Sequence, residues 1–132
     1  MTDLTRLPSQ VHHLAKQLLD AVELVAPDAD LRLRAMFGGA GAYAQAGMFA
    51  SLSHAGLALK LPPDAQAELL ARPEAERLRY EADATPSRHY IVVPPSVRAD
   101  ATLLTPWVRR SIDHVATLPP PKRRPDATRD RP

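Results

Sequence analysis

All five glycines of this 132-residue chain fall between residues 38 and 56, and they restrict the middle of the chain to short extended pieces folded back on one another. Leu31 and Leu33 alternate with Arg32 and Arg34, the period of two that places successive side chains on opposite faces of a strand. The run AMFGGAGAYAQ continues in extended form, which predicts one strand kinked at Gly38 and Gly39. Gly47 then separates it from MFASLS, and Gly56 separates MFASLS from LALKL, each at hairpin spacing. The result is three antiparallel strands in a meander. In this reading Gly38, Gly39, Gly41, Gly47 and Gly56 are structural. A phosphate-cradling loop would need a helix directly after the glycines, and here they lead into another strand.

The flanks supply helices. In VHHLAKQLLDAVELVA, the residues Val11, Leu14, Leu18, Leu19, Val22 and Val25 recur at spacings of three and four, and Pro27 and Asp28 end the run. Pro62, Pro63 and Asp64 start a short helix through AQAELLAR that stops at Pro73. RLRYEA and HYIVVP, separated by Thr85, Pro86 and Ser87, form a second hairpin. A last helix carries Leu103, Leu104, Trp107, Val108, Ile112, Val115 and Leu118, capped by Asp100 or Thr102 and with Pro106 in its first turn. The order α-β-β-β-α-β-β-α with short connections predicts a two-layer α+β fold: an antiparallel sheet with helices on one face.

At this length and 45% apolar content the chain holds one core, so residues 1–118 form one domain. The pI of 9.3 originates in the last fourteen residues. Residues 119–132 contain Lys122, Arg123, Arg124, Arg129 and Arg131 against Asp126 and Asp130; removing them from 17 basic and 15 acidic residues leaves 12 against 13, a net charge of −1. This proline- and arginine-rich tail has no apolar periodicity and is expected to be disordered. The absence of cysteine excludes disulfides and thiolate chemistry and suits a cytoplasmic protein. No stretch approaches the roughly 20 apolar residues of a membrane span, so no membrane partner is expected.

Side chains able to do chemistry are present but scattered. His12 and His13 are adjacent on a helix and diverge by about 100°; His54 falls in a turn, His89 at a strand start and His114 on the last helix, with no HxH or HExxH spacing. Ser51, Ser53 and Ser87 are outside any G-x-S-x-G turn. Asp20 with Glu23, and Glu74 with Glu76, read as solvated charge. No catalytic residue, metal site or cofactor is expected, and the chain is not expected to be an enzyme.

RAMFGGAGAYAQAGMFASLS followed by LALKL resembles the signature of the N-terminal domain of the TfoX/Sxy family of bacterial competence regulators. The likeness rests on Met36-Phe37-Gly38-Gly39 with Gly41 and Tyr43, on Gly47-Met48-Phe49-Ala50, on Leu59-Lys60, on Tyr90 before Val93-Pro94, and on Trp107 near Arg109-Arg110. The resemblance implies a two-layer α+β fold and a regulatory role: such regulators promote expression of DNA-uptake genes together with a cyclic-AMP-responsive transcription factor. Full-length members add a C-terminal helical domain, and this chain ends about where that would begin. The resemblance brings no catalytic residues. The expected function is therefore an interaction module that binds a protein partner or a second copy of itself through the open sheet face or the last helix, with Trp107, Arg109 and Arg110 as candidate contacts. Two alternatives stand beside it. Lys122, Arg123 and Arg124 could give weak, non-specific phosphate contacts to nucleic acid, or a small-molecule pocket could lie between sheet and helices.

Overall fold

The computed structural model describes residues 7–36, 38–44, 47–79, 81 and 83–118; the proposed tail at 119–132 lies outside them. Six strands, β1 (Arg32–Met36), β2 (Gly39–Ala44), β3 (Gly47–Ser53), β4 (Gly56–Lys60), β5 (Glu76–Arg77) and β6 (Tyr90–Val92), form one sheet in the order β1-β2-β3-β4-β6-β5, antiparallel at every junction. Four α-helices accompany it: α1 (His12–Val25), α2 (Pro63–Leu70), α3 (Pro95–Arg98) and α4 (Ala101–Thr117). This is the expected α+β class; besides the short added helix α3 between β6 and α4, it differs from the expected order in three places.

The first is at the glycines. Met36 pairs with Gly39, and Gly38 has φ +78°. A left-handed glycine reverses the chain where a bend was expected, so the kinked strand is the hairpin β1-β2 and the sheet gains a sixth strand. Gly47 and Gly56 also have positive φ, +145° and +112°, at the starts of β3 and β4, the strand boundaries assigned to them.

The second is at the later hairpin. Sheet pairing along RLRYEA ends at Arg77, opposite Ile91. Leu78 N–H still donates to the Tyr90 carbonyl (2.9 Å), but the Leu78 carbonyl accepts from Ser87 N–H (2.8 Å), closing the connection into a loop. Third, Pro106 is the sixth residue of α4, past its first turn, because Asp100 caps the helix earlier: its carboxylate accepts Thr102 N–H at 2.9 Å.

The pairing sorts the side chains. Ala42 opposes Leu33 and Ala50, Leu52 opposes Leu57, and Leu59 opposes Ala50 and Ile91, so these residues share one face. Leu52, Leu57, Leu59 and Ile91 are buried in a single cluster with Leu18 of α1 and Val108 of α4. That face carries the core. Helix α1 packs along α4, and α4 lies against β3 and β4. The amphipathic stripes read in the sequence largely point inward: Leu14, Leu18 and Val22 of α1 and Leu104, Val108 and Val115 of α4 are buried, while Leu103, beside Leu104 in the first turn of α4, faces outward and is exposed. Among the described residues no helix is long and apolar enough to cross a membrane.

Candidate functional site

Among the described residues no helix packs on the opposite face of the sheet. By the same register Arg34, Met36, Gly39, Gly41 and Tyr43 of the first hairpin project there with Ser51, Ala58, Tyr90 and Val92 of later strands. Small side chains in the middle make a low floor. A Cβ on Gly41 would sit 3.0 Å from Met36 Cε and 3.1 Å from Met48 Sδ, so the missing side chain leaves the space in which the two thioethers meet. The Arg34 guanidinium lies 5.7 Å from the centre of the Tyr43 ring, a cation–π distance.

The connection between β5 and β6 walls this face. Leu78 is buried yet stands outside the helix-side core, and Ala84, Thr85 and Ser87 share a hollow of about 270 Å³ with Met48, Ser51 and Tyr90. A second hollow of about 480 Å³ is bounded by Met36, Gly39, Ser51, Ser53, His54 and Glu81. A third, about 310 Å³, shares His54 and Glu81 with the second and Arg79 with the first. Together they make one groove with an apolar thioether floor and a mixed polar rim.

A serine, a histidine and a carboxylate border the second hollow. Ser51 and Ser53 are strand residues, and Ser53 Oγ accepts the Ala55 N–H at 3.1 Å, which shapes the β3-β4 turn. This is a turn-forming role, not the strand-to-helix position at which a serine nucleophile is displayed. His12 Nε2 donates to the Leu7 carbonyl at 2.9 Å and anchors the start of α1. Among the described residues no three His, Asp or Glu side chains gather closely enough to hold a metal ion.

The residues proposed as contacts on the last helix are engaged within the fold. Trp107 is half-buried against the core, with the Arg110 guanidinium 5.0 Å from its ring. Arg110 donates two hydrogen bonds to the Glu68 carboxylate (3.0 and 2.9 Å), the fork geometry that suits guanidinium, and Asp64 stands 3.8 Å away. Arg109 donates to the Val25 carbonyl (2.6 Å) and to Asp113 (3.1 Å). The pair thus clasps α4 to α2 and to the end of α1. Lys122, Arg123 and Arg124 lie outside the described residues.

The clasp has a pH signature. The hydrogen bonds from Arg110 hold the Glu68 carboxyl below the usual carboxylate range, so its contribution to stability is present above that range and is lost as pH falls through the depressed value. Glu68 is largely solvent-facing and Arg110 about a third exposed, so the effect is screened. The expected result is a melting temperature that falls more steeply on acidification in the unsubstituted chain than in Glu68→Gln, measured by thermal melts between pH 7 and 3.

The family model of the TfoX N-terminal domain matches residues 23–115. The chain belongs to the TfoX N-terminal domain family. Comparison with curated proteins and with solved structures gives no match. The matched span runs from the last turns of α1 into α4 and takes in all six strands. Every element that builds the groove is therefore part of the TfoX N-terminal domain. Within it, sequence reasoning found the glycines and Met36-Phe37, but the β5-β6 wall carried no signal: its residues meet β3 only because β6 inserts between β4 and β5.

Proposed function

We propose that this TfoX N-terminal domain is a non-enzymatic regulatory module that engages a protein partner in the groove on its helix-free sheet face. The observation that carries this reading is the meeting of Met36 and Met48 over Gly41, with Arg34 and Tyr43 beside them. Thioethers are flexible and polarisable and adapt to varied apolar surfaces. Exposed Arg34 supplies a cation for an acidic residue at the edge of the same contact. The complementary partner surface is an apolar segment flanked by carboxylates. Family membership supports a regulatory setting, and the cyclic-AMP-responsive transcription factor brought in by the resemblance is the first partner to test.

Isothermal titration of that purified factor with the full chain should show saturable binding that Met48→Glu weakens at least tenfold. Leu24→Ser should leave it unchanged, since Leu24 is 66% exposed on α1, on the helix side. No binding by the unsubstituted chain removes this partner. Equal affinity for Met48→Glu removes the face. Light scattering on the same samples distinguishes a second copy: concentration-dependent dimers abolished by Met48→Glu would make the partner another molecule of this chain.

A further inference from the structure

Away from the groove, at the end of the sheet where β4 runs into α2 and the chain enters β6, Lys60, Arg88, His89 and His114 line one cavity of about 450 Å³. They come from separate parts of the chain: the last residue of β4, the two residues before β6, and the last turn of α4. None of these four side chains has a hydrogen-bond or ion-pair partner among the described residues. The contrast is one helical turn away, where Arg110 holds Glu68 in a fork with Asp64 beside it. The fold gives that cation a hydrogen-bonded carboxylate and gives the four at the cavity none.

Convergent basic side chains with no carboxylate hydrogen-bonded to them repel one another, and an anion placed among them relieves the repulsion. Of the rest of the lining, Leu61, Pro63 and Leu118 are apolar and Gln66 is polar, its amide already bonded to the Leu61 carbonyl and to Arg77; the apolar part suits a ligand with an organic body behind its charged head. An ammonium from Lys60 and a guanidinium from Arg88 together match a doubly charged head group. Tetrahedral phosphate oxygens can accept from a guanidinium fork, an ammonium and imidazole N–H groups arriving from different directions.

We propose that this cavity is a binding site for a small phosphate monoester, held by Lys60 and Arg88 with His89 and His114 as protonatable donors. The site goes beyond the partner groove and does not depend on it. Proton linkage arises from the groups that face His114: Lys60 from β4, His89 from the β5-β6 connection and Asp64 from α2, which is itself 3.8 Å from Arg110, one turn before His114 on α4. Burial, then the charges of Lys60 and His89, lower the His114 pKa, and Asp64 opposes them. A bound dianion favours the imidazolium, so binding takes up a proton and tightens as pH falls from 8 toward 6.

The test is an NMR titration of the full chain with phenyl phosphate, with inorganic phosphate and phenol as separate arms. Saturable shifts should concentrate at residues 60, 88–89 and 114, phenyl phosphate should bind more tightly than inorganic phosphate, and phenol should give no response. The His114 ring should titrate at higher pH in the complex, and apparent Kd should fall severalfold between pH 8 and 6. Arg88→Gln and Lys60→Gln, both substitutions on the accessible surface, should each weaken binding about tenfold, while a variant carrying Lys122→Gln, Arg123→Gln and Arg124→Gln should bind as the unsubstituted chain does. Non-saturating shifts spread over all basic residues would overturn the site. So would loss of binding in the tail variant with retention in Arg88→Gln, or an unchanged His114 titration.

Discussion

Gly39→Ala should cost this domain about 3 kcal/mol and lower its melting temperature by roughly 10 °C or more. Gly39 is buried at the start of β2, and a Cβ there would be driven into the carbonyl oxygen of Leu52, with the Leu52 carbonyl carbon and Ser53 Cα both 3.2 Å away. All three are backbone atoms of the neighbouring strand, so no rotamer change relieves the overlap. The strands must move apart. Gly38, one residue earlier, is the internal control. Nothing lies within 4 Å of a Cβ built on it, and its only demand is a φ of +78°, so Gly38→Ala should cost about 1 kcal/mol of backbone strain. Urea unfolding followed through the single tryptophan, Trp107, separates the two. The midpoint should fall much further for Gly39→Ala, with the slope unchanged. If Gly38→Ala proved the more damaging, close strand approach would not be what fixes glycine at position 39.

The same pair of residues marks where the sequence was and was not informative. Glycine in an extended run signals a departure from regular strand, and that was legible at residues 38 and 39. Whether the chain bends or reverses depends on whether the flanking segments pair, and Leu33 opposite Ala42 is a tertiary fact. The helices were readable because their burial follows a local period, so Leu14, Leu18, Val22, Leu104, Val108 and Val115 declared themselves. The strand order was not, since β6 seats itself beside β4 across the whole of α2 and β5.

Function-bearing positions divide in the same way. Arg109-Arg110 looks like an exposed basic pair, but the carboxylate that occupies Arg110 is 42 residues away. Conversely, His89 and His114 looked unrelated in sequence and are brought to one cavity with Lys60 and Arg88. Charge in a sequence shows which residues can pair; only the fold shows which remain unpaired.

Ser111 joins the two layers, and its removal should be felt in both. It occupies a core position of α4, in line with Leu104, Val108 and Val115, and is fully buried. Its one hydroxyl proton is shared between two backbone carbonyls within hydrogen-bond distance of Oγ, Phe49 on β3 (2.9 Å) and Lys60 on β4 (2.8 Å). Tyr43 pairs with Met48 and Ala42 with Ala50, so the register skips Phe49 and the strand is bulged there. The hydroxyl therefore steadies the bulge that sends Phe49 into the core and leaves Met48 beside Met36 on the open face. Ser111→Ala should cost about 2 kcal/mol, the consequence of stranding buried acceptors in an apolar layer. Ser111→Thr, which keeps the hydroxyl, should recover most of it. Ser111→Ala should also loosen the Met48 strand, seen as faster amide exchange along β3 than in Ser111→Thr. Should alanine match serine in stability and exchange, the helix would not be what holds the bulge, and the shape of the groove would have to come from the sheet alone.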